Sequence, residues 1–96
     1  MSRKVELRPA AWRDLLRLVE FVADLDERAG AKREDGLEAA LRRLGKRPFV
    51  GRPGAKPNTR EHTIKFGRSS YLIRYIVTDD AVIIVRIWHG KENRPR

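Results

Sequence analysis

The side chains best suited to chemistry in this sequence are two histidines and a set of cations. His62 and His89 can change charge near neutral pH, and they fall in different segments of the chain. The cations of interest are Arg60, Lys65, Arg68, Arg74, Arg86, Lys91 and Arg94. Arginines could stabilise a phosphorane-like transition state in RNA cleavage, because guanidinium grips two phosphate oxygens and keeps its proton. His89 would then be the general acid or base. The alternative is a solvated basic face with His89 capping a strand.

Other reaction types have little support. The chain has no cysteine, which excludes disulfides, thiolate metal ligands and cysteine nucleophiles. It also has no glycine-rich phosphate loop, no serine elbow and no histidine pair at metal-ligand spacing. We therefore expect no metal and no cofactor.

The charge balance indicates the kind of partner. Twenty-two basic and 13 acidic residues give a net charge of +9 in a chain of 96 residues. Such a field attracts nucleic acid, a ribosome or an acidic protein, although it could also serve solubility alone. The N-terminus does not resemble a secretion signal and no stretch approaches a membrane span, so we expect a cytoplasmic protein with no membrane contact. The length predicts one domain, residues 1–96.

The elements that must position these side chains follow from the periodicity. Residues 3–8 alternate like a strand and stop at Pro9. A helix is predicted from about residue 10 to 26, and a second one, separated from it by Gly30, ends at Lys46, Arg47 and Pro48. The apolar stripe of the first helix is widened by Trp12, Leu16 and Ala23. Extra core packing is the simpler interpretation of this width, and contact with a partner is the alternative.

The second half of the chain predicts a loop from 47 to 60 and then three strands, over 61–66, 70–77 and 81–88. With a turn at 78–80, Tyr75 faces Ile83 and Ile73 faces Val85, which gives one wholly apolar face. Val82, Ile84, Arg74, Arg86 and Trp88 then share the other, exposed face, with His89 at its rim. The expected fold is α+β, with a helical hairpin on an antiparallel meander and the first strand at an edge or beside the later strands.

Three segments carry a resemblance to a known family. They are RPAAWRDLLRLVEFV (8–22), LRRLGKRPFVGRPG (41–54) and FGRSSYLIRYIVTDDAVIIVRIWHGKENR (66–94). They resemble the RelE/ParE superfamily of type II toxin–antitoxin toxins, and its ParE-like branch in particular, over nearly the whole chain. The resemblance implies an N-terminal strand and a two-helix antiparallel hairpin packed on a small curved antiparallel sheet, in the order β-α-α-β-β-β.

The resemblance also implies partners. A cognate acidic antitoxin, ParD-like or RelB-like, would form a hetero-oligomer with the toxin, and operator DNA would be bound only through that antitoxin. The broad stripe of the first helix is the expected antitoxin-binding surface. Its predicted members are Trp12, Leu16, Val19 and Ala23.

Two activities divide the superfamily. ParE-like toxins poison DNA gyrase and block replication, and we expect this activity, with growth arrest and plasmid stabilisation as its consequences. The alternative is a RelE-like, metal-independent endoribonuclease that cleaves mRNA in the ribosomal A site, for which the matching residues are Lys65, Arg68, Arg86 and His89. No tyrosine follows Trp88, which weakens that alternative. The residues predicted to bind the target or a polyanion are Arg60, Arg74, Arg86, Trp88, His89, Lys91 and Arg94.

Overall fold

Two helices pack against one face of a five-stranded sheet. This computed structural model describes residues 2–23, 27–66 and 69–90. Side chains are described at all of these positions except 19–23, 27–35, 66 and 69. The elements in chain order are β1 (Lys4–Leu7), α1 (Pro9–Ala23), α2 (Glu27–Lys46), β2 (Arg52–Pro53), β3 (Arg60–Phe66), β4 (Ser69–Val77) and β5 (Ala81–His89). No helix within these ranges is both long enough and apolar enough to cross a membrane.

The strands are arranged in the order β1-β5-β4-β3-β2. The predicted succession of a strand, a helical hairpin and a meander is confirmed, and so is the position of the first strand at an edge. The sheet is mixed and not wholly antiparallel, because β1 runs parallel to β5. No hairpin constrains that pair, since both helices and three strands separate them. The predicted loop also contains the short strand β2, which pairs with the start of β3.

The helix boundaries follow from proline and glycine. Pro9 opens α1, where its missing N–H costs no hydrogen bond, and Pro48 follows the end of α2. Gly30 lies inside α2 and does not separate the helices, because α2 already begins at Glu27. Gly45 lies where β1 meets α2. The Arg3 N–H donates to its carbonyl oxygen at 2.7 Å, and a Cβ at Gly45 would collide with the Arg3 carbonyl oxygen.

The core lies between the helices and the sheet. The helical stripes are buried as predicted, at Ala11, Leu15, Leu18, Leu37, Ala40, Leu41 and Leu44. They pack against Ile64 and the inner residues of β4 and β5, which are Tyr71, Ile73, Tyr75, Val82, Ile84 and Ile87. Trp12 and Leu16 are 53% and 60% exposed, so extra core packing is the wrong interpretation of these two.

The register of the β4–β5 hairpin differs from the prediction. Tyr75 lies opposite Ile84, and Ile73 lies opposite Ile87. The turn is wider than expected, with Val77 opposite Val82. A bulge then leaves Val85 as an extra residue on β5. Val82 and Ile84 therefore face the core and not the outer side, because each shift of one residue reverses the direction of every side chain beyond it.

Candidate functional site

β5 extends beyond the end of its neighbour β1. Along this part of its edge, side chains of α1 provide the hydrogen bonds that a neighbouring strand would otherwise make. The last backbone bond along this edge runs from the Arg8 N–H to the Ile84 carbonyl at 3.0 Å. Beyond it, the Ile87 N–H donates to Asp14 Oδ2 at 2.9 Å, and Arg17 Nη2 donates to the Ile87 carbonyl at 3.3 Å. Two side chains of α1 thus satisfy backbone groups that would otherwise be left unpaired.

Asp14 also holds Arg86. Arg86 Nε donates to Asp14 Oδ2 at 2.7 Å, and Arg86 Nη2 donates to Oδ1 at 3.2 Å. Arg17 Nη1 reaches Oδ1 at 2.7 Å. Burial alone would raise the pKa of Asp14. The hydrogen bonds from Arg86, the Ile87 N–H and Arg17 outweigh it, so the pKa lies below its usual value. The carboxylate therefore stays ionised although it is only 2% exposed.

The bulge at Val85 brings Arg86 opposite Arg74, and the two guanidinium groups enclose the Trp88 ring. Their carbons lie 5.1 and 4.8 Å from its centroid, within the range of a cation–π contact. Arg74 has its own carboxylate, because its Nε and Nη2 lie 3.1 and 3.0 Å from Glu61 Oε2. The prediction that Arg74, Arg86 and Trp88 share a face is confirmed. The predicted exposure of that face is wrong for Arg74 and Trp88, which are 5% and 2% exposed.

This stack forms one wall of a cavity of about 470 Å³ on the outer face of the sheet. We call it the arginine–tryptophan cavity. Its lining residues are Arg8, Lys56, Pro57, Thr59, Arg74, Ile76, Val85, Arg86 and Trp88. Arg8 and Lys56 are its exposed cations, whereas Arg74 and Arg86 are neutralised by carboxylates. The cavity can therefore present a rigid shape and limited positive charge to a partner.

His89 does not join this cavity. It lies opposite Tyr71, which belongs to the core, and the two rings meet edge to face with their centroids 5.2 Å apart. The alternation of β5 therefore places His89 on the helix side, and Arg86 on the outer side, of the sheet. His89 is only 5% exposed. The two residues that a nuclease site would combine are on opposite faces.

The remaining predicted site residues are dispersed. Arg60 lies on the helix side, where Nη1 donates to the Gly51 carbonyl at 2.7 Å and the guanidinium carbon lies 4.9 Å from the Phe49 centroid. Lys65 is exposed on β3 and is not part of the cavity wall. Arg68, Lys91 and Arg94 lie outside the described residues, as do the side chains of Val19 and Ala23. In the part of the chain that the structure describes, no three potential metal ligands lie together.

The sequence interpretation missed the two carboxylates that organise the cavity. Asp14 is an acidic residue within the buried stripe that Ala11, Leu15 and Leu18 form, and this position was a usable signal, because a buried carboxylate needs a cationic partner. Glu61 gave no comparable signal. Its pairing with Arg74 depends on the β3–β4 register.

A second groove lies between α1, α2 and β1. Its volume is about 240 Å³, and it is mainly apolar, with Val5, Leu7, Trp12, Leu15 and Leu41 on its walls and Glu38 and Arg42 beside them. We call it the Trp12 groove. Leu16, which is also exposed, lies one helical turn after Trp12 on α1. An apolar cleft with an exposed aromatic wall suits a protein partner.

Comparison with known proteins agrees with this architecture. The family described as ParE toxin of type II toxin–antitoxin system, parDE, matches residues 5–94. Two proteins of Caulobacter vibrioides are similar over nearly their whole length. Toxin RelE1 is 45% identical over 98% of this chain and 100% of its own. Toxin RelE3 is 34% identical over 96% of this chain and 99% of its own.

Solved structures share the fold. A chain of the chromosomal ParDE system from P. aeruginosa matches with a TM-score of 0.75 and 19% identity, over 90% of this chain and 94% of that one. The E. coli RelBE toxin–antitoxin complex gives 0.66 and 18%, over 97% and 100%. RelBE2 from Mycobacterium tuberculosis gives 0.62 and 26%, over 93% and 99%. The fold is therefore that of the RelE/ParE superfamily of toxins. This chain belongs to the ParE toxin family of type II toxin–antitoxin systems.

Proposed function

We propose that this toxin acts on DNA gyrase and arrests growth by blocking replication until an antitoxin neutralises it. The observation that carries the proposal is the separation of Arg86 and His89 by the sheet. RNA cleavage requires an acid or base within reach of the cations that stabilise the phosphorane. Poisoning a topoisomerase requires a complementary surface, and the arginine–tryptophan cavity provides rigid shape without that catalytic pair. Such an activity would be exerted in the cytoplasm.

The proposed target-binding surface centres on the arginine–tryptophan cavity. Asp14 and Glu61 fix the two arginines against Trp88, so the wall is held in one conformation before any partner arrives. The exposed cations Arg8 and Lys56 then provide the contacts that a polyanion or an acidic protein surface would use. Lys91 and Arg94 follow β5 in sequence and remain predicted members of this surface.

A ribosome-dependent endoribonuclease is the second candidate. It is favoured by the names of the two Caulobacter relatives, which are both called RelE toxins. Lys65, Arg68, Arg86 and His89 would carry the reaction. For His89 to take part, the end of β5 would have to rearrange on the ribosome, because the side chain is buried in this conformation.

A parallel assay separates the two activities. The purified toxin is added to gyrase with relaxed plasmid, and to a translation reaction with a defined message. We expect inhibited supercoiling with accumulated cleaved DNA, while the message stays intact. Lys56→Glu should weaken inhibition by about tenfold as an exposed interface charge, and Lys46→Glu, an exposed control on α2, should not. Unaffected supercoiling at large toxin excess, together with cleavage at codon boundaries, would reject the gyrase proposal and support the nuclease.

We also propose that an acidic antitoxin docks on the Trp12 groove. The RelBE structures that share the fold are toxin–antitoxin complexes, and a net charge of +9 complements an acidic chain. Val19 and Ala23 stay predicted members of the surface, and operator DNA would be reached through the antitoxin. Trp12→Ala should lower antitoxin affinity by about a hundredfold as a central aromatic contact, measured by calorimetry. Arg13→Ala on the same helix is the control, and an unchanged affinity of the Trp12 variant would place the antitoxin elsewhere.

A further inference from the structure

A different cationic surface lies on the helix side of the sheet, between the second half of α2 and β3. It is a groove of about 310 Å³, which we call the basic groove. Its lining residues are Ala40, Arg43, Leu44, Arg47, Val50, His62, Thr63, Ile64 and Lys65. Ala40, Leu44 and Ile64 form a buried apolar floor. Arg43 and Arg47 are exposed beside this floor, whereas Lys65 lies at the edge of β3 with its side chain on the outer face, because it alternates with Ile64.

The cations of the basic groove have no counter-charge. Among the described residues, no aspartate or glutamate lines the groove, and the side chains of Arg43, Arg47 and Lys65 form no ion pair or side-chain hydrogen bond. The adjacent residue Arg42 behaves differently, since its Nη2 lies 3.0 Å from Glu38 Oε1 and it lines the Trp12 groove. Like charges gathered around an apolar floor attract a partner that is both acidic and apolar.

The groove is bordered by an open strand edge. β2 contributes only Arg52 and Pro53, which pair with Glu61 and Arg60 at the start of β3. From residue 62 onward, no strand among the described residues covers the outer edge of β3. An edge of this kind can accept an additional strand from another chain.

The direction of the free backbone groups can be derived from the ladder. The Ser70 carbonyl accepts from the Gly90 N–H at 2.8 Å and so points toward β5. Alternation along β4 then turns the peptide groups of Tyr71 toward β3, where Ile64 is its partner. The peptide groups of Thr63 and Lys65, on either side of Ile64, therefore point away from β4. They provide two N–H donors and two carbonyl acceptors for a further strand.

We propose that the basic groove binds an acidic, extended segment of a partner protein, which adds as a strand beside β3. Alternate side chains of that segment would face α2, where its carboxylates meet Arg43 and Arg47 and its apolar groups meet Leu44. A nucleic acid would use the cations alone and leave the peptide edge and the apolar floor unmatched. The proposal adds a second docking surface, on the other side of α2 from the Trp12 groove, and does not depend on the toxin's target.

His62 gives the bound state a measurable signature. Burial lowers the pKa of His62 in the free protein. The charged side chains near it are Arg43 and Arg47 on α2, which line the same groove, and Lys65 at the edge of β3, whose side chain lies on the outer face. Carboxylates in the groove favour imidazolium, so binding should raise the pKa of His62. Because the bound state then holds the proton more tightly, affinity should increase as the pH falls through that pKa.

The test uses the intact protein and synthetic peptides. The probe is the eight-residue peptide Glu-Thr-Val-Thr-Glu-Thr-Val-Thr, in which glutamate and valine alternate along one face of the strand. A peptide of the same composition, with all glutamates before all valines, is the control. We expect the alternating peptide to bind about tenfold more tightly, to slow hydrogen exchange at the Thr63 and Lys65 amides, and to raise the pKa of His62 by NMR titration. Equal affinities, or protection at other amides, would overturn strand addition.

Charge-reversal variants test the rim. The double variant Arg43→Glu with Arg47→Glu should lose about a hundredfold in affinity, whereas Arg42→Glu, on the Trp12 side of α2, should keep it. Arg47→Glu alone provides a second, milder test, in case the double variant is misfolded by circular dichroism. Unchanged peptide binding in these variants would overturn the proposal. The proposal would also be overturned if a single-stranded or duplex DNA oligonucleotide shifted the NMR resonances of the groove residues and the peptide did not.

Discussion

The arginine–tryptophan cavity and the basic groove both contain arginines, but they use them in opposite ways. In the cavity, Arg74 and Arg86 are each held by a carboxylate and flank a buried tryptophan. In the groove, Arg43 and Arg47 are exposed, and no acidic residue in the described part of the chain lines the groove with them. The comparison shows that the net charge of the chain does not locate the surface available to an anion. That surface is where cations lack partners, and the cavity arginines belong to the architecture of the fold.

Burial explains this division. Removing a guanidinium from water is costly unless a carboxylate and further hydrogen bonds replace the solvent. Arg74, at 5% exposure, can be accommodated only with Glu61 beside it. Arg47 stays hydrated and needs no such partner. Substitutions at the cavity's paired arginines and their carboxylates should therefore change the stability of the fold, whereas substitutions in the groove should change binding.

The largest effect is expected for Asp14→Ala. The change leaves the Arg86 guanidinium and the Ile87 N–H without their acceptor and removes the link from α1 to the edge of β5. We expect the free energy of unfolding to fall by about 3 kcal/mol, measured by urea denaturation. Arg13→Ala, an exposed position on the same helix, is the control. A loss similar to that of the control would mean that Asp14 does not join the helix to the sheet.

The pH dependence of the free energy of unfolding provides a further test of the role of Asp14. Because the pKa of Asp14 is lowered in the folded chain, its ionised form stabilises the fold above the unfolded-state pKa of about 4. That contribution is lost as the pH falls through the lower, folded-state pKa. The stability difference between wild type and Asp14→Asn should therefore narrow below about pH 4. Urea titrations at a series of pH values measure it, and a difference that does not vary with pH would contradict the assignment.

The next effect is expected for Glu61→Ala. Arg74 then stays buried on the outer face with its Trp88 contact but no carboxylate. We expect a loss of about 2 kcal/mol, since a buried charge is left without its partner. Glu38→Ala breaks an exposed pair with Arg42 and should cost less than about 0.5 kcal/mol. Equal losses in the two variants would show that burial does not distinguish these ion pairs.

Much of the fold could be predicted from the sequence because its patterns are local. The helical stripes of α1 and α2 and the β-branched runs of β4 and β5 are periodic within one element. The pairing of β1 with β5 could not be predicted in this way, because it depends on how distant segments meet. The bulge at Val85 was also missed. A single extra residue leaves no local signal in a run as uniformly apolar as AVIIV.

The candidate site was less predictable for the same reason. Arg74, Arg86 and Trp88 were placed together correctly, because their spacing keeps them on one face even after the register shift. Their burial was not predicted, since it depends on Asp14 and Glu61 from other elements. His89 was assigned to the rim, although its neighbour Tyr71 and the core cover it. The predicted strand ended at Trp88, whereas β5 continues to His89, and alternation with Trp88 then places the His89 side chain on the helix side.

A smaller effect is expected for Tyr75→Phe. The Tyr75 side chain connects β4, which carries Arg74 of the cavity, to the loop beside the basic groove. The Tyr75 hydroxyl donates to the Pro48 carbonyl at 2.8 Å and accepts from the Gly51 N–H at 2.8 Å. Removing it leaves both buried groups unpaired and should cost about 1.5 kcal/mol by urea denaturation. Exchange at the Gly51 amide should become faster. An unchanged free energy of unfolding, together with unchanged exchange at the Gly51 amide, would contradict this role of Tyr75.

The smallest effect is expected in the basic groove itself. Arg43→Ala and Arg47→Ala remove exposed cations that face other cations and no acid, so repulsion is relieved and no ion pair is lost. At low ionic strength we expect each change to leave the free energy of unfolding within about 0.5 kcal/mol of wild type, on the stabilising side. The gain should vanish in high salt, because exposed charges are screened. A loss above about 1 kcal/mol in either variant would mean that these arginines belong to the fold, as Arg74 and Arg86 do, and the two regions would no longer differ in kind.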